Sequence, residues 1–556
     1  MTARIIRVAG SLVEAAPLHG ALYELAFVGK RRLLGEIIKQ RGDVCTLQVY
    51  ESTTGLAVGE PVEHTGVSLT AQLGPGLLGA VLDGIGRPLE RVAEATGDFI
   101  APGARADTLD ADQKWTFTAT RAAGDSVEPG DVLGTVLERA ITHRVLVPPG
   151  VRGVIAAIDS GTYTVTTPIG ALTDGTTLRL AHRWPVRIPR PVAEQFASSR
   201  PFVTGQRVFD LFFPVAEGGS AAVPGGFGTG KTIIEQSLAK FSEADVVVYV
   251  GCGERGNEMT DVLTEFPLLV DPRTGRPVMD RAVLIVNTSN MPVAAREASI
   301  YMGVTIAEYF RDQGNRVALM IDSTSRWAEA LREMAARQQE MPGEEGYPTY
   351  LASRLGQFFE RAGRVRPLGA PTREGAVTII GAISPPGGDF SEPVTQAALR
   401  VTGAMWALDA SLAHQRHYPA VDWESSFSLY ADQVAPWFTT HGGEQWAAVR
   451  ADLLALLQKE RELRDIASLV GPDALEDHDH LVMDVAAIVR EVVLRQNAYH
   501  PHDAISSPQQ TYALAHAALE AFRDGERALA SGTAFAALDL APTRRALAAK
   551  RDGVNA

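Results

Sequence analysis

The chain has 556 residues, of which 46% are apolar and 21% charged, and a chain of this length is expected to form about three or four domains rather than one. Fifty-two basic and 66 acidic residues give a net charge of −14, which disfavours a nucleic-acid-binding protein. No uncharged apolar run is long enough to predict a transmembrane helix, so we expect any attachment to a membrane to depend on partner proteins.

The amino-terminal residues 1–70 predict a small β-barrel or sandwich, and we assign this segment to an N-terminal β-barrel. In VCTLQV (44–49), Cys45, Leu47 and Val49 share one face and the alternate residues share the other. The segment 41–43 (RGD) before this run is typical of a turn between strands.

Residues 111–190 predict a β-rich insertion. Stretches such as VEPGDVLGTVLE (127–138) alternate β-branched residues with glycine and proline turns. A swinging-arm carrier domain has a similar pattern but requires a lysine that can be modified, and no lysine occurs between Lys114 and Lys231. We therefore favour a structural insertion over a carrier domain.

Residues 71–110 and 191–434 together predict an α/β domain. Short apolar runs rich in β-branched residues are typical of strands buried on both faces, and they occur at 246–250, 282–286, 317–321 and 376–383. Between them, segments such as 294–314 repeat apolar residues at helical spacing. Strands that alternate with helices predict a largely parallel sheet with helices on its faces.

Residues 435–556 predict a helical bundle. One helix is indicated by an apolar face that ends before Gly471 and Pro472 and contains Trp446, Val449, Leu453, Leu456, Leu463 and Ile466. Ser507, Pro508 and Gln510 predict the start of another helix, which we extend through Arg527. The last polar segment, 542–556, gives no functional signal.

The strongest functional pattern is GGFGTGKT (225–232), which matches G-x-x-x-x-G-K-[ST] at every fixed position. Glycines allow backbone N–H groups to surround phosphate oxygens, and the positive end of the following helix favours the same anion. In this pattern, lysine reaches the β- and γ-phosphates and the Ser/Thr hydroxyl binds Mg²⁺. The predicted nucleotide-binding residues are Gly225, Gly226, Phe227, Gly228, Thr229, Gly230, Lys231 and Thr232.

Two carboxylates are candidates to act beside this loop. Asp322 ends the apolar run 317–321, where a carboxylate can hold the metal ion, although an aspartate at a strand end is also common as a turn or capping residue. Glu254 follows a Gly-Cys-Gly turn after the run 246–250, where it can orient water towards the γ-phosphate while Arg255 balances its charge. An ordinary surface Glu-Arg pair is the alternative.

Several motifs resemble the catalytic A subunit of V/A-type rotary ATPases, and the resemblance covers nearly the whole chain. They are GPGLLGAVLDGIGRPL, GGFGTGKT, GCGERGNEM, ALMIDSTSRWAEALRE, MPGEEGYPTYLASRLGQFFERAG, GAISPPGGDFSEPVT, LAHQRHYPAVDWESSFSLY and RQNAYHP. The resemblance implies a multidomain fold: an N-terminal β-barrel, a central RecA-like α/β P-loop NTPase domain with a β-rich insertion at 111–190, and a C-terminal α-helical bundle.

The resemblance also implies roles for individual residues. Lys231 and Thr232 would bind phosphate and Mg²⁺, and Asp322 would hold the metal through its water shell. Glu254 would polarise the attacking water, while Arg255 and Arg326 would stabilise the γ-phosphate and its developing charge. Tyr418 and Tyr499 match the positions of two aromatic residues that sandwich adenine; core packing is the alternative for either tyrosine.

The implied reaction is ATP hydrolysis or synthesis coupled to H⁺ or Na⁺ transport, with ATP or ADP and Mg²⁺ as ligands. Three copies would alternate with three non-catalytic B subunits, which supply an arginine to the site, and the ring would contact a central shaft and a peripheral stalk. The complex would lie on the cytoplasmic face of a membrane, and no nucleic acid would be bound.

Two other classes of protein can share this core. A hexameric translocase acting on RNA or unfolded protein would lack the 111–190 insertion, and an RNA translocase should be more basic. A non-catalytic regulatory subunit would bind nucleotide without cleaving it, and the presence of Lys231, Thr232 and Glu254 argues against that role. Eukaryotic members of the resembled family carry a cysteine where this chain has Thr229, so their disulfide switch cannot operate here. We interpret Cys252 as a small buried side chain.

Overall fold

The computed structural model describes residues 3–97, 100–139, 141–471 and 475–553, and the chain divides into two compact units. The first unit contains Met1–Phe196, Ala244–Ile383 and Ser391–Val401. The second contains Ala197–Glu243, Ser384–Phe390 and Thr402–Ala556. Within the described ranges, no helix has the length and apolarity that would allow it to cross a membrane.

A closed antiparallel barrel of six strands begins the first unit, with the strand order β1-β2-β5-β4-β3-β6. Cys45, Leu47 and Val49 fill its interior, as the alternation predicted. Gln48, on the opposite face, is also buried, and its Nε2 donates to Oγ of Ser11 at 2.7 Å. The strands are β1 Ala3–Ala9, β2 Leu12–Ala16, β3 Glu24–Val28, β4 Leu33–Arg41, β5 Val44–Val49 and β6 Pro61–Ser68.

The insertion consists of two four-stranded antiparallel sheets around an apolar core of its own. It follows β7 Thr70–Leu73, β8 Val81–Asp83 and helix α1 Leu89–Thr96. One sheet has the order β10-β13-β15-β16 and the other β12-β11-β9-β14. The strands are β9 Trp115–Ala119, β10 Ser126–Val127, β11 Val132–Glu138, β12 Ile141–Leu146, β13 Gly153–Ile158, β14 Gly161–Tyr163, β15 Pro168–Leu172 and β16 Thr177–Arg179.

The two ends of the insertion lie together against Gly74. A Cβ added to Gly74 would lie 2.6 Å from Cβ of Ala181 and 2.9 Å from Cδ1 of Leu109, which are closer than real Cβ contacts. After the two sheets, the chain forms β17 His182–Pro185, which pairs with β7, and then β18 Val192–Gln195.

A largely buried hydrogen-bonded chain links the insertion to the rest of the first unit. Glu138 Oε1 accepts the backbone N–H groups of Gly76 and Leu78, at 2.7 and 3.0 Å. Its Oε2 lies 2.6 Å from Nδ1 of His143, and Nε2 of His143 lies 2.7 Å from the hydroxyl of Tyr309. Since an ionised carboxylate only accepts, His143 donates from Nδ1 and, when neutral, accepts from Tyr309 at Nε2.

The next three elements belong to the second unit. Helix α2 Arg207–Phe212 and strand β19 Ser220–Pro224 are completely buried, and helix α3 follows at Lys231–Phe241. Strand β19 therefore ends directly before the glycine loop, and the predicted helix begins directly after it.

The rest of the first unit is a parallel sheet with the order β24-β22-β20-β21-β8, so the four apolar runs are strands as predicted. Helix α5 ends at Asp312, two residues before Gly314. Strand β23 is antiparallel to both β18 and β24. The elements are β20 Val246–Glu254, α4 Gly256–Glu265, β21 Ala282–Thr288, α5 Val293–Asp312, β22 Arg316–Asp322, α6 Thr324–Arg337, α7 Leu351–Phe359, β23 Gly363–Pro367, β24 Gly375–Ile383 and α8 Pro393–Leu399.

The second unit continues with a short sheet and a helical bundle. Strand β25 is parallel to β19 and antiparallel to β26. Short 3₁₀ turns occur at Phe266–Leu268, Val278–Arg281, Glu344–Gly346, Pro386–Gly388 and Phe535–Ala537 across the two units. The elements are β25 Ala404–Met405, α9 Ala410–His414, β26 Phe427–Ser428, α10 Ala431–His441, α11 Trp446–Val470, α12 Asp477–Ile488, a π-helical turn Val489–Leu494, α13 Pro508–Ala530 and α14 Ala541–Arg551.

The start of helix α13 agrees with the sequence signals, but one residue of the predicted buried face of α11 does not. Ser507 and Gln510 form a capping box at the start of α13, which continues three residues beyond Arg527. The prediction that Ile466 lies on the buried face of α11 is wrong, because its side chain is 47% exposed. The step of three residues from the buried Leu463 to Ile466 falls about 60° short of a full helical turn, so Ile466 lies beside the buried stripe and not on it. Pro472 lies outside the described residues.

Candidate active site

The glycine loop in the second unit joins the buried strand β19 to helix α3. Gly228 and Gly230 have φ angles of 76° and 89°, a left-handed conformation that glycine adopts without strain. A Cβ on Gly225 would lie only 2.6 Å from Oγ1 of Thr229, so the turn also needs a small residue there. The sequence folds this way because glycines stand where the backbone reverses and where it packs closely.

Lys231 holds its ammonium group against this loop. Its Nζ donates to the carbonyl oxygens of Gly225 and Gly226, at 2.7 and 2.9 Å, and the Thr229 hydroxyl also donates to Gly226, at 2.9 Å. Thr232 is the second residue of α3, at the positive end of the helix. This arrangement brings a cation, a hydroxyl and a helix amino terminus to one short segment, which is suited to binding an anion.

Two cavities border the loop within the second unit. One, of about 520 Å³, is lined by Gly226, Thr229 and the 81%-exposed side chain of Phe227, together with residues of the segment 387–390. The other, of about 810 Å³, is lined by both predicted adenine-binding tyrosines.

Tyr418 and Tyr499 line the same 810 Å³ cavity as Ile233 of helix α3. The ring of Tyr418 lies against Gly230, where an added Cβ would be 3.3 Å from its Cε1 atom. Tyr499 is 95% exposed at the same cavity, so its ring is open to a ligand. A flat aromatic ligand that entered the cavity would meet two π faces beside the phosphate loop.

Glu254 and Asp322 end two neighbouring strands of the parallel sheet in the first unit. β20 and β22 run side by side, with Gly251 paired to Asp322, so both carboxylates lie at the carboxyl edge of the sheet. Both are buried, and Oε1 of Glu254 has no hydrogen-bond partner among the described residues. A buried carboxylate with an unsatisfied oxygen at such an edge is suited to binding water or a ligand.

The surroundings of Glu254 raise the pKa of its carboxyl group above that of an ordinary glutamate. Burial raises its pKa to about 8, and the charge of Asp322 and a hydrogen bond with Glu258 act in the same direction. Ser323 and Arg326 lower the pKa but do not outweigh burial. A carboxyl group that titrates in this range can exchange a proton near physiological pH, which a general base requires.

The two arginines predicted to act on the phosphate, Arg255 and Arg326, differ in their contacts and exposure. Arg326, in the first turn of α6, donates from Nη1 to both carboxylate oxygens of Glu329, at 2.9 and 3.0 Å. Arg255 precedes helix α4 and is exposed. Gly253 has a φ of 75°, and a Cβ there would lie 2.7 Å from Cβ of Arg326, so glycine is needed for Arg326 to approach the strand end.

Within the first unit, the structure thus brings Glu254, Asp322 and Arg326 together; within the second, it brings together the glycine loop, Lys231 and the two tyrosines. Sequence reasoning missed Glu258 and Glu329. Glu329 has a signal in its spacing, since it follows Arg326 by three residues on one helix, whereas Glu254 ends a strand before α4 begins, so the spacing of Glu258 carries no such signal.

Cys252 is buried, as predicted, and burial raises the pKa of its thiol to about 12. A thiol that stays protonated is a poor nucleophile and a poor metal ligand, so Cys252 acts as a small packing residue beside the strand end. Its Sγ contacts the carbonyl oxygen of Arg296 at 3.5 Å.

Four family profiles match consecutive parts of the chain. Three of them are profiles of the ATP synthase alpha/beta family: the beta-barrel domain profile matches residues 5–66, the barrel-sandwich domain profile matches 106–187, and the nucleotide-binding domain profile matches 205–428. The profile of the C-terminal domain of V and A type ATP synthase matches 435–534. With the barrel and the helices described above, these matches confirm the predicted fold class.

A solved structure shares this fold. The assembled ATPase EscN, from the type III secretion system of enteropathogenic E. coli, has a TM-score of 0.66 at 21% identity and covers 93% of this chain and 100% of its own.

Relatives match over almost the full length. The V-type ATP synthase alpha chain of Anaeromyxobacter dehalogenans (strain 2CP-C) is 57% identical over 96% of this chain and 92% of its own. One of the A-type ATP synthase A subunits of Methanospirillum hungatei JF-1 is 51% identical over 92% of this chain and 88% of its own. The V-type ATP synthase alpha chain of Clostridium novyi (strain NT) is 52% identical over 96% and 91%. The chain therefore belongs to the family of V-type ATP synthase alpha chains and A-type ATP synthase A subunits.

Proposed function

We propose that this chain is the catalytic subunit of a V/A-type rotary ATPase, which hydrolyses or synthesises ATP and couples that reaction to H⁺ or Na⁺ transport across a membrane. The observation that carries the proposal is Lys231, bound to two carbonyls of a glycine loop that leads directly into a helix. An ammonium group in that position is suited to the β- and γ-phosphates of a nucleoside triphosphate. Similarity to ATP synthase chains supports ATP as that nucleotide.

In this proposal, Glu254 accepts a proton from the water that attacks the γ-phosphate. Its unpartnered Oε1 gives the water an acceptor, and burial keeps the carboxylate from being solvated by bulk water. Lys231, Arg255 and Arg326 then stabilise the negative charge that spreads over the transferring phosphoryl group. For Arg326, this requires that it exchange its contact with Glu329 for a phosphate oxygen.

The residues also fit Mg²⁺, which prefers oxygen ligands. We assign the Thr232 hydroxyl as a direct ligand and the buried Asp322 carboxylate as a partner of the water shell. When bound with ATP, Mg²⁺ neutralises part of the phosphate charge. The glycine loop 225–230 binds phosphate, and Tyr418 and Tyr499 hold adenine in the 810 Å³ cavity.

We propose an assembly in which three copies of this chain alternate with three non-catalytic B subunits. An arginine from a neighbouring subunit is worth about 10³–10⁵ in the rate of phosphoryl transfer, so an isolated chain should bind MgATP but turn it over slowly. Central shaft and peripheral stalk subunits complete the complex, which reaches the membrane ion-translocating sector indirectly. The chain then lies on the cytoplasmic face of the membrane as a peripheral subunit, and it binds no nucleic acid.

The proposed domain boundaries follow the same scheme. Residues 1–70 form the N-terminal barrel, 71–110 and 191–434 the nucleotide-binding domain, 111–190 the insertion and 435–556 the helical bundle. Limited proteolysis of the full chain, with sequencing of the stable fragments, tests these boundaries because exposed connections are cleaved before folded domains.

Glu254→Gln in the reconstituted ring tests the catalytic proposal. The amide keeps the size of the side chain but cannot accept the proton, so we expect turnover to fall by roughly 10²–10⁴-fold while MgATP binding persists. Asp261→Asn, which also neutralises a carboxylate on the exposed face of α4, is the matched control and should retain full activity. Turnover that survives in Glu254→Gln with unchanged binding would show that the assigned role is wrong.

A further inference from the structure

The last described helix, α14, returns to the cavity that contains Tyr418 and Tyr499. It packs against α13 and the π-helical turn Val489–Leu494, and Leu547 is its buried residue. Lys550 Nζ donates to the carbonyl oxygen of Ala513 at 3.4 Å. Residues 542–551, within the segment that has no functional signal in the sequence, therefore belong to a helix that packs in the second unit.

Arg551, at the end of α14, lines the cavity. Its Nη1 donates to the carbonyl oxygen of Glu491 at 3.4 Å, and its Nε lies 4.0 Å from Oδ1 of Asp503. The adjacent Asp552 carboxylate accepts from Nε and Nη2, at 2.7 and 3.1 Å, which fixes the plane of the guanidinium group. The helix end thus places an oriented cation beside Asp503.

Asp503 in turn fixes the backbone of the segment that carries Tyr499. Its Oδ2 accepts the backbone N–H of Asn497 at 2.8 Å, and its Oδ1 accepts from Nη2 of the buried Arg207 at 2.6 Å. Oδ1 of Asn497 then accepts the backbone N–H of Tyr499 at 3.0 Å. A continuous set of polar contacts therefore runs from Arg551 through Asp503 and Asn497 to Tyr499.

Tyr499 depends on these backbone contacts because its side chain is almost fully exposed. A ring that makes little packing contact is held by its backbone alone, and a ring that is already held loses less conformational freedom when a base stacks on it. Removal of an anchor of this segment should therefore weaken stacking without a change at the phosphate loop.

We propose that Arg551 is a positioning residue for Tyr499 and thereby sets the affinity of the cavity for the base of the nucleotide. This inference rests on the proposed function of the cavity as the adenine site. The Arg551 guanidinium lies beside the Asp503 carboxylate, and Asp503 holds the Asn497 and Tyr499 backbone in the position from which the ring can stack.

Arg551→Ala in the full-length chain tests this inference, with dissociation constants measured for MgATP and for magnesium tripolyphosphate, which has no base. We expect the constant for ATP to rise roughly threefold to tenfold, the usual size of one lost charge-assisted contact, and the constant for tripolyphosphate to stay unchanged. Arg551→Lys keeps the charge and should restore most of the affinity for ATP. Arg545→Ala is the matched control, because Arg545 is exposed and donates a hydrogen bond to the carbonyl oxygen of Ala541 in its own helix.

Tyr499→Ala separates the two possible failures. If this variant binds ATP as tightly as the unchanged chain, the proposed adenine site is wrong and the inference falls with it. If Tyr499→Ala weakens ATP binding but both Arg551 variants do not, only the inference is overturned. An equal loss of ATP and tripolyphosphate affinity in Arg551→Ala would also overturn it, since that result indicates general damage. The double variant Arg551→Ala with Tyr499→Ala should bind ATP no more weakly than Tyr499→Ala alone.

Discussion

Arg326 donates two hydrogen bonds to Glu329, one turn further along the same helix. Both side chains are about one-third exposed, at 36% and 32%, so water and salt screen the pair. In the proposed function, the arginine must leave this carboxylate before it can bind a phosphate oxygen, so Glu329 would compete with ATP for it.

Glu329→Gln should lower the KM for ATP, because it weakens that competition. A partly exposed ion pair is worth about 0.2–1 kcal/mol, so we expect a decrease of at most about fivefold. The measurement is the KM of the reconstituted complex at low and high salt, where the difference from the unchanged complex should shrink at high salt. Glu333→Gln is the control, since Glu333 pairs with Arg337 on the same helix. An equal effect of both variants would contradict this prediction.

The value of kcat/KM should rise as the pH rises through about 8. Burial and the charge of Asp322 raise the pKa of Glu254 to about 8, so at lower pH the free enzyme carries a protonated carboxyl group that cannot accept a proton. Activity is thus lost as the pH falls below this value, and kcat/KM reports the pKa of the free enzyme. Steady-state rates of the reconstituted ring between about pH 6 and 9.5 provide the measurement. A flat profile over this range would be incompatible with Glu254 as the base.

Gly253→Ala should both destabilise the chain and impair catalysis. The left-handed backbone at Gly253 strains any L side chain, and the new Cβ would meet Cβ of Arg326 at 2.7 Å and Cδ of Arg296 at 2.8 Å. We expect the free energy of unfolding to fall by about 1–3 kcal/mol. Gly256→Ala is the control, because among the described residues, apart from its chain neighbours and its own helix backbone, no heavy atom lies within 4 Å of its added Cβ. Denaturant unfolding of the two variants compares them directly, and equal stability would refute the argument.

Tyr309→Phe should destabilise the first unit through His143. Loss of the hydroxyl leaves a fully buried ring nitrogen without its partner at 2.7 Å, which costs about 1–3 kcal/mol. Tyr163→Phe provides the control, since the Tyr163 hydroxyl donates to the carbonyl oxygen of Asp159 at the surface and its loss should cost less than about 0.5 kcal/mol. Chemical denaturation monitored by fluorescence would measure both changes. If Tyr309→Phe left the free energy of unfolding unchanged, the prediction would be contradicted, and His143 would have to form a hydrogen bond with another group.

Local signals predicted the elements that depend on neighbouring residues in sequence. The capping box at Ser507 needs only Gln510, and the phosphate loop needs only eight consecutive residues, so both are visible in the sequence. The buried strands were also predicted, because a run such as 246–250 has no polar face that could point to water.

Contacts between distant parts of the chain could not be predicted in this way. The link from Arg551 to Asp503 joins residues 48 positions apart, and the hydrogen bond between His143 and Tyr309 spans 166. Ile466 shows a different limit. It lies three residues after the buried Leu463, a spacing that can keep two residues on one helix face, but here the residue lies at the edge of the buried face and is exposed.

A Cβ on Gly74 would meet both Leu109, which precedes the two sheets of the insertion, and Ala181, which follows them, so the chain enters and leaves the two sheets at one place. Chain segments with adjacent ends can be lengthened, shortened or exchanged during evolution without rerouting the polypeptide elsewhere. The two sheets between Leu109 and Ala181 can therefore change with little effect on the path of the rest of the chain. Selection can remodel their outer surface for new neighbours while the residues that handle phosphate stay untouched.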